Sequence, residues 1–301
     1  MPLSNDQTVH KPVLMNQVLH YLNPQPGKTY LDVTFGSGGH TRAILEREPH
    51  CKVIAMDWDT VALEQFGPAL QEEFGDRLQL IWGNFALLYK ILKKEKIKSV
   101  EGILADFGTS QVQIVNRPGF SVYRDTALDM RMSPAHHQET AYQVLAAFSE
   151  QALRELFWQL GEERHAKVIA RAIVQERAKN QLVSTQQLVN LIERVVPTAR
   201  GGSAIHPATR IFQALRIYVN KELDNISAFL GHAPSILNSG GRIVCISFHS
   251  LEDRMVKQFF VNQERAGILK ILTPKVITAE PEEIKQNPSS RSAKLRAAVR
   301  V

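Results

Sequence analysis

The sequence predicts an α/β chain built on a parallel sheet and interrupted by an all-helical insertion. Its first hundred residues alternate short apolar strand-like runs with helical ones, and this rhythm stops after Asp106. From Thr140 the pattern is wholly helical, and strand-like runs return only near the C-terminus. A chain of 301 residues also exceeds what one simple core holds.

The strand-like runs are TYLDVTF, KVIAMD, LQLIW and VEGILADF. The runs HTRAILER and ALLYKILKKEK and a stretch ending at Phe74 are helical between them. Strands separated by helices pair in parallel through right-handed crossovers. Residues 109–134, rich in Gly, Pro, Ser, Asp and Arg, carry no sustained period and read as an ordered loop or lid. Helices follow at 151–160 and 162–179. In STQQLVNLIERVVP, Ser184 suits an N-cap, Gln187 its reciprocal partner, and Leu188, Leu191, Ile192 and Val195 one apolar stripe.

A single long helix is expected over 206–230, with Pro207 in its first turn and Gly231 at its end. RIVCISFH reads as a fifth strand, residues 251–262 as a helix, and LKILTPKVI with SAKLRAAVRV as a closing hairpin-like pair. The expected organisation is therefore 1–108 as the first part of the α/β domain, 109–205 as the inserted lid and helical subdomain, and 206–301 as the second part.

Composition narrows the function classes. Hydrophobic residues make up 44% and charged residues 22%, and no apolar run approaches the roughly 18 residues of a membrane helix. The N-terminus lacks the basic and apolar regions of a signal peptide, so a cytoplasmic protein without a membrane partner is expected. Cys51 and Cys245 both fall in strand-like runs and read as buried thiols; no metal site is expected. The formal net charge is +6, and residues 242–301 carry eleven Lys or Arg against six Asp or Glu. That excess suits a polyanionic partner.

Parallel α/β sheets bind ligands at the carboxyl ends of their strands. Those ends read FGSGGH, Asp57, Asn84-Phe85, Asp106-Phe107-Gly108 and Ser247-Phe248-His249. In YLDVTFGSGGHT a strand stops at a glycine cluster that opens a helix, the usual cradle of a nucleotide-like cofactor. Asp57 lies about 20 residues on, where a ribose carboxylate belongs. NAD and S-adenosylmethionine both fit such a turn. The third glycine of GxGxxG is Thr41 here, which favours S-adenosylmethionine.

Seven blocks carry a resemblance to a known family: HKPVLMNQVL (10–19), DVTFGSGGHT (32–41), GFSVYRDTALDMRM (119–132), GEERHAKVIARAI (161–173), HPATRIFQALRIYVN (206–220), ISFHSLEDR (246–254) and RSAKLR (291–296). In these the chain resembles the bacterial 16S ribosomal RNA cytosine-N4 methyltransferases of the RsmH or MraW family. The resemblance implies a Rossmann-like class I methyltransferase sheet that transfers a methyl group from S-adenosylmethionine to the N4 amine of a cytidine in the decoding region, within an assembled small ribosomal subunit.

It also implies cofactor contacts at Gly38, Gly39, His40, Asp57, Phe85, Asp106 and Gln113. Asp106 is the candidate catalytic acceptor for the amine hydrogen. The family's Asp-Leu-Gly-Val-Ser-Ser-Pro-Gln is DFGTSQVQ here, with Gln111 and Val112 in place of Ser and Pro. Substrate contacts are expected from Arg124, Asp129 and Arg131 in the lid, His206 and Arg210 at a helix start, and His249 and Arg254 near the last long helix.

Three of these blocks also have local structural readings: Ser250 and Asp253 fit an S-x-x-D capping box, His206 and Pro207 suit a helix start, and RSAKLR suits a basic edge strand. Outside the blocks, His136-His137 reads as a solvated loop pair. Two other functions share these features: a methyltransferase for a small molecule or protein, and a non-catalytic RNA-binding ribosome assembly factor.

Overall fold

The structure is a computed structural model that describes residues 12–109, 114, 117–196 and 206–301. It divides into two compact units, one formed by Met1–Gly108 with Leu223–Val301 and the other by Thr109–Glu222.

The first unit is organised on one eight-stranded sheet. Its strands are β1 (Thr29–Asp32), β2 (Lys52–Asp57), β3 (Leu78–Trp82), β4 (Val100–Asp106), β5 (Leu237–Ser247), β6 (Leu269–Ile271), β7 (Ile277–Thr278) and β8 (Lys294–Arg300). The order is β3-β2-β1-β4-β5-β8-β6, with β7 beside β8. The first five are parallel, and β8 runs antiparallel to β5, β6 and β7. β2 and β4 are almost continuously buried, as expected of strands covered on both faces.

Two apolar cores lie on the two sides of this sheet. One gathers Leu31, Met56, Ile103, Phe107, Phe229 and Phe260, and the other Tyr30, Ile44, Val53, Leu104, Val244 and Leu295. Alternate residues of β1 and β4 feed opposite cores, which is the period-two rule of a strand. Cys245 is buried within β5, whereas Cys51 lies one residue ahead of β2. Burial pushes the Cys51 thiol up to about 11.

Helices α1 (Met15–Leu22), α2 (Gly39–Arg47), α3 (Thr60–Phe74) and α4 (Leu88–Lys94) belong to the sheet unit. The second unit is helical, with α5 (Ala141–Ala147), α6 (Glu150–Gly161), α7 (Ala166–Arg177), α8 (Thr185–Val195) and α9 (Thr209–Val219). Ser184 and Gln187 form the expected capping box on α8, and Thr140 with Gln143 forms another on α5. Ala208, Ile211, Phe212, Ala214, Leu215 and Val219 pack into this unit's core. The sheet unit therefore resumes at Leu223, not at residue 206.

The single helix expected over 206–230 is two helices, α9 and α10 (Glu222–Ile236). The break lies at Asn220 and Lys221, and Lys221 sits at φ +49°. The Asn220 amide donates to Arg216 O and Met130 O, and its Oδ1 accepts from Met132 N. A side chain that bonds loop backbone in this way competes with continuation of the helix. Pro207 precedes the first turn of α9, and α10 runs through Gly231 to Ile236.

Candidate functional site

The strand order reverses direction between β1 and β4, so their carboxyl ends form the sheet's topological switch point. At the end of β1, Asp32 is fully buried; its carboxylate accepts from the Thr41 hydroxyl at 2.7 Å and the Thr34 amide at 3.1 Å. Desolvation raises its pKa. The Thr34 hydroxyl in turn lies 2.7 Å from the amide of Asp106, which donates to it across the switch point. Asp32 was not singled out in the sequence, although its place ahead of the glycines is a readable signal.

The glycine turn follows. Gly36 and Gly38 take φ of +54° and +78°, and Gly38 caps α2 (Gly39–Arg47). A Cβ on Gly38 would lie 2.8 Å from Leu70 and 3.0 Å from Phe35, and one on Gly39 would lie 3.2 Å from Pro12. Gly38 is thus required by packing and by backbone conformation, and Gly39 by its close approach to Pro12.

Asp57 ends β2 and is buried, with Oδ2 accepting from Gly36 N at 2.8 Å and Oδ1 from Asp59 N at 2.9 Å. Desolvation pushes its pKa up to about 6 against the lowering pull of those amides. The carboxylate retains acceptor lone pairs beyond these two bonds. Beside it stands an aromatic wall: the Phe85 centroid lies 6.4 Å from Trp58, 6.0 Å from Phe107 and 5.8 Å from Phe229. Asn84 fixes the start of this turn by accepting from Ala86 N. Trp58 was missed in the sequence, and its position directly after Asp57 is the signal that marked it.

Asp106 ends β4. One of its oxygens, Oδ2, is 3.5 Å from His40 Nε2. His40 is buried; among the described residues both of its ring nitrogens and Asp106 Oδ1 have no hydrogen-bond partner. Buried polar atoms are normally paired, so three unsatisfied ones at a switch point mark a place for a ligand's polar groups. The set fits S-adenosylmethionine: the glycine turn, His40, Asp57, Phe85 and Asp106 would hold it, with carboxylates for hydroxyl and ammonium donors and an aromatic face for the base. Gln113 lies outside the described residues.

The expected substrate residues are distributed over both units. In the helical unit, Asp129 receives a bidentate bond from Arg131, at 2.7 and 2.8 Å, and a third from its backbone amide. Burial raises the Asp129 pKa, but these bonds outweigh it and hold the carboxyl below its usual range. The two residues thus form a clamp within the loop. Arg124 is exposed, and its carbonyl accepts from the Thr185 hydroxyl. His206 accepts from Ala208 N and sits 3.2 Å from Glu193, while exposed Arg210 donates to Glu162 O.

In the sheet unit, α11 (Ser250–Arg265) is capped by His249, one residue earlier than expected. Its reciprocal partner is Glu252, whose carboxylate accepts from the amides of Phe248 and His249. Asp253 instead accepts a bidentate bond from Arg296 of β8, at 2.6 and 3.1 Å. Ser250 and Asp253 therefore do not form the expected box. Arg254 is exposed on the same helix. His137, read as solvated, is buried, and desolvation with nearby His136 and Lys221 lowers its pKa to about 4.

Residues 7–301 match the model of the MraW methylase family. The chain is 44% identical to a protein of Thermomicrobium roseum over 317 residues, covering 100% of this chain and 95% of that one. It is 43% identical to one of Endomicrobium trichonymphae, covering 96% and 98%. Both are named Ribosomal RNA small subunit methyltransferase H. Among solved structures, SMU.1697c, a putative methyltransferase from Streptococcus mutans in complex with SAH, aligns with a TM-score of 0.43 at 11% identity, covering 95% and 97%. With the family match spanning both units and every strand that builds the switch point, this chain belongs to the MraW methylase family.

Proposed function

We propose that this chain methylates the exocyclic N4 amine of a cytidine in small-subunit ribosomal RNA, with Asp106 accepting the amine hydrogen. The chain is an S-adenosylmethionine-dependent methyltransferase, and the names of its relatives support ribosomal RNA as the substrate. The observation that carries the amine assignment is Asp106 Oδ1, an oxygen that has no hydrogen-bond partner among the described residues, at the switch point beside the glycine turn.

S-adenosylmethionine supplies an activated methyl group, so the protein's share is positioning and desolvation. A cytosine amine is a weak nucleophile because its lone pair is conjugated with the ring. Asp106 Oδ1 accepts one amine hydrogen, favours the pyramidal nitrogen, and receives the proton that the methylated nitrogen sheds. His40 Nε2 faces the other carboxylate oxygen at 3.5 Å. Asp57 accepts from ribose hydroxyls, Phe85 covers the adenine, and Gly38, Gly39 and Gln113 complete the cofactor seat.

The helical unit, with the loop ahead of it, recognises the RNA. Arg124 of the loop, Arg210 on α9 and, from the sheet unit, Arg254 on α11 supply phosphate contacts; His206 lies just ahead of α9 and His249 caps α11. The Asp129–Arg131 clamp shapes the loop. The target base is presented unpaired or flipped, and the partner is the small ribosomal subunit in the cytoplasm. Among the described residues no helix is long and apolar enough to cross a membrane.

Labelled methyl groups offered with small subunits from a strain lacking the modification should enter the RNA fraction. Label confined to ribosomal proteins would overturn the proposal.

A further inference from the structure

The helical unit carries a cleft of about 480 Å³ at the junction of α6 and α7, lined by none of the residues assigned above. Gln151, Arg154, Glu155 and Trp158 line it from one face of α6, at the i, i+3, i+4 and i+7 spacing of a helix. Arg164 enters from the turn between the helices and Lys167 from the first turn of α7. The opposite face of α6 buries Leu153, Leu156 and Phe157 in the core.

Trp158 is 61% exposed. Among the described residues its indole has neither a ring contact nor a hydrogen-bond partner. Arg154, Arg164 and Lys167 are likewise exposed and enter no ion pair among the described residues, whereas nearby Arg171 pairs with Glu150 and Arg194 with Glu176. The one acid in the cleft, Glu155, accepts from Gln151. An open aromatic face ringed by three uncommitted cations is the chemistry that takes a nucleobase with its phosphates. The volume lies within the range of roughly 300–1,000 Å³ typical of small-ligand sites.

We propose that this cleft is an accessory RNA site: one unpaired base stacks on Trp158 while Arg154, Arg164 and Lys167 hold the flanking phosphates. It grips a second segment of the substrate strand. The inference rests on RNA being the substrate, and it goes beyond that reading by naming where a second segment of the strand is held.

The test is binding of a fluorescently labelled, unstructured oligoribonucleotide to the full chain, alongside methyl transfer to small subunits. Trp158→Ala should weaken oligonucleotide binding at least about fivefold, and Trp158→Phe should restore most of it. Lys167→Gln should reduce the slope of log affinity against log salt by about one contact's worth. For Trp158→Ala the KM for subunits should rise while kcat at saturation and calorimetric S-adenosylmethionine binding stay unchanged.

Unaltered RNA binding by Trp158→Ala and Lys167→Gln would overturn the accessory site while leaving the methylation reading intact, as wild-type transfer to cytidine would show. A wild-type chain that neither binds RNA nor methylates it would overturn both. Should Trp158→Ala bind oligonucleotide normally and methylate naked ribosomal RNA normally, yet fail on assembled subunits, the cleft seats a ribosomal protein and the stacking proposal is overturned.

Discussion

His40 Nε2 faces Asp106 Oδ2 at 3.5 Å, joining the first turn of the helix after the glycine loop to the end of the neighbouring strand across the switch point. Each residue keeps at least one polar atom without a hydrogen-bond partner. The pair is thus pre-positioned and incomplete, the condition in which ligand groups add bonds without first breaking protein ones.

Replacing Asp106 by Asn preserves shape and removes the acceptor that takes the proton. Asp106→Asn should lower kcat for methyl transfer by about 10²–10⁴. Circular dichroism and thermal melting should remain close to wild type. An Asn variant with wild-type kcat would remove Asp106 from the reaction.

Cofactor affinity should depend on pH through Asp57. Its pKa in the free protein is about 6, and hydroxyl donors from a bound ribose stabilise the ionised form, so binding lowers that pKa. Affinity is therefore fully present above pH 6 and falls as the pH drops below it, approaching tenfold per unit. Calorimetry between pH 5 and 8 should show this fall, and Asp57→Asn should bind more weakly with a flatter profile.

Much of this was legible in the sequence because each strand end carries its own polar signal. Asp57 could be placed by counting from the glycine turn, and Phe85 and Asp106 by their places at the ends of the next apolar runs. Asp32 and Trp58 were harder: a buried aspartate bonded to Thr41 looks like one more strand residue, and a tryptophan after a carboxylate looks like core. The capping of α11 was misread by one residue because Ser250 fits the usual cap preference, whereas the structure uses His249 with Glu252. The long helix failed at Asn220 because its partners, Met130 and Met132, are about ninety positions away. Local patterns cannot register bonds of that reach.

Asn220 supplies the next expectation. It is fully buried and its amide binds three backbone groups, so Asn220→Ala leaves Met130 O and Met132 N unsatisfied. The cost should be on the order of 2–4 kcal/mol. Hydrogen exchange should rise in the 128–142 segment and in α9, and a variant as stable as wild type would contradict the assignment.

His137 should make the protein acid-sensitive. Its folded pKa of about 4 lies below the ordinary histidine value, so the unfolded chain binds the extra proton between these limits. Its contribution is undiminished above about pH 6.5 and is lost progressively as the pH falls toward 4. Compared with His137→Gln, wild type should lose on the order of 1 kcal/mol more stability between pH 7.5 and 5.5. Parallel denaturant midpoints across that range would contradict the burial.

The account turns on an amine hydrogen accepted at Asp106. Small subunits methylated by the wild-type chain should be digested to nucleosides and the modified base identified by mass spectrometry against standards. N4-methylcytidine, absent from the Asp106→Asn reaction, is the expected result. A 5-methylcytidine, a 2′-O-methylated nucleoside or a methylated purine would contradict it.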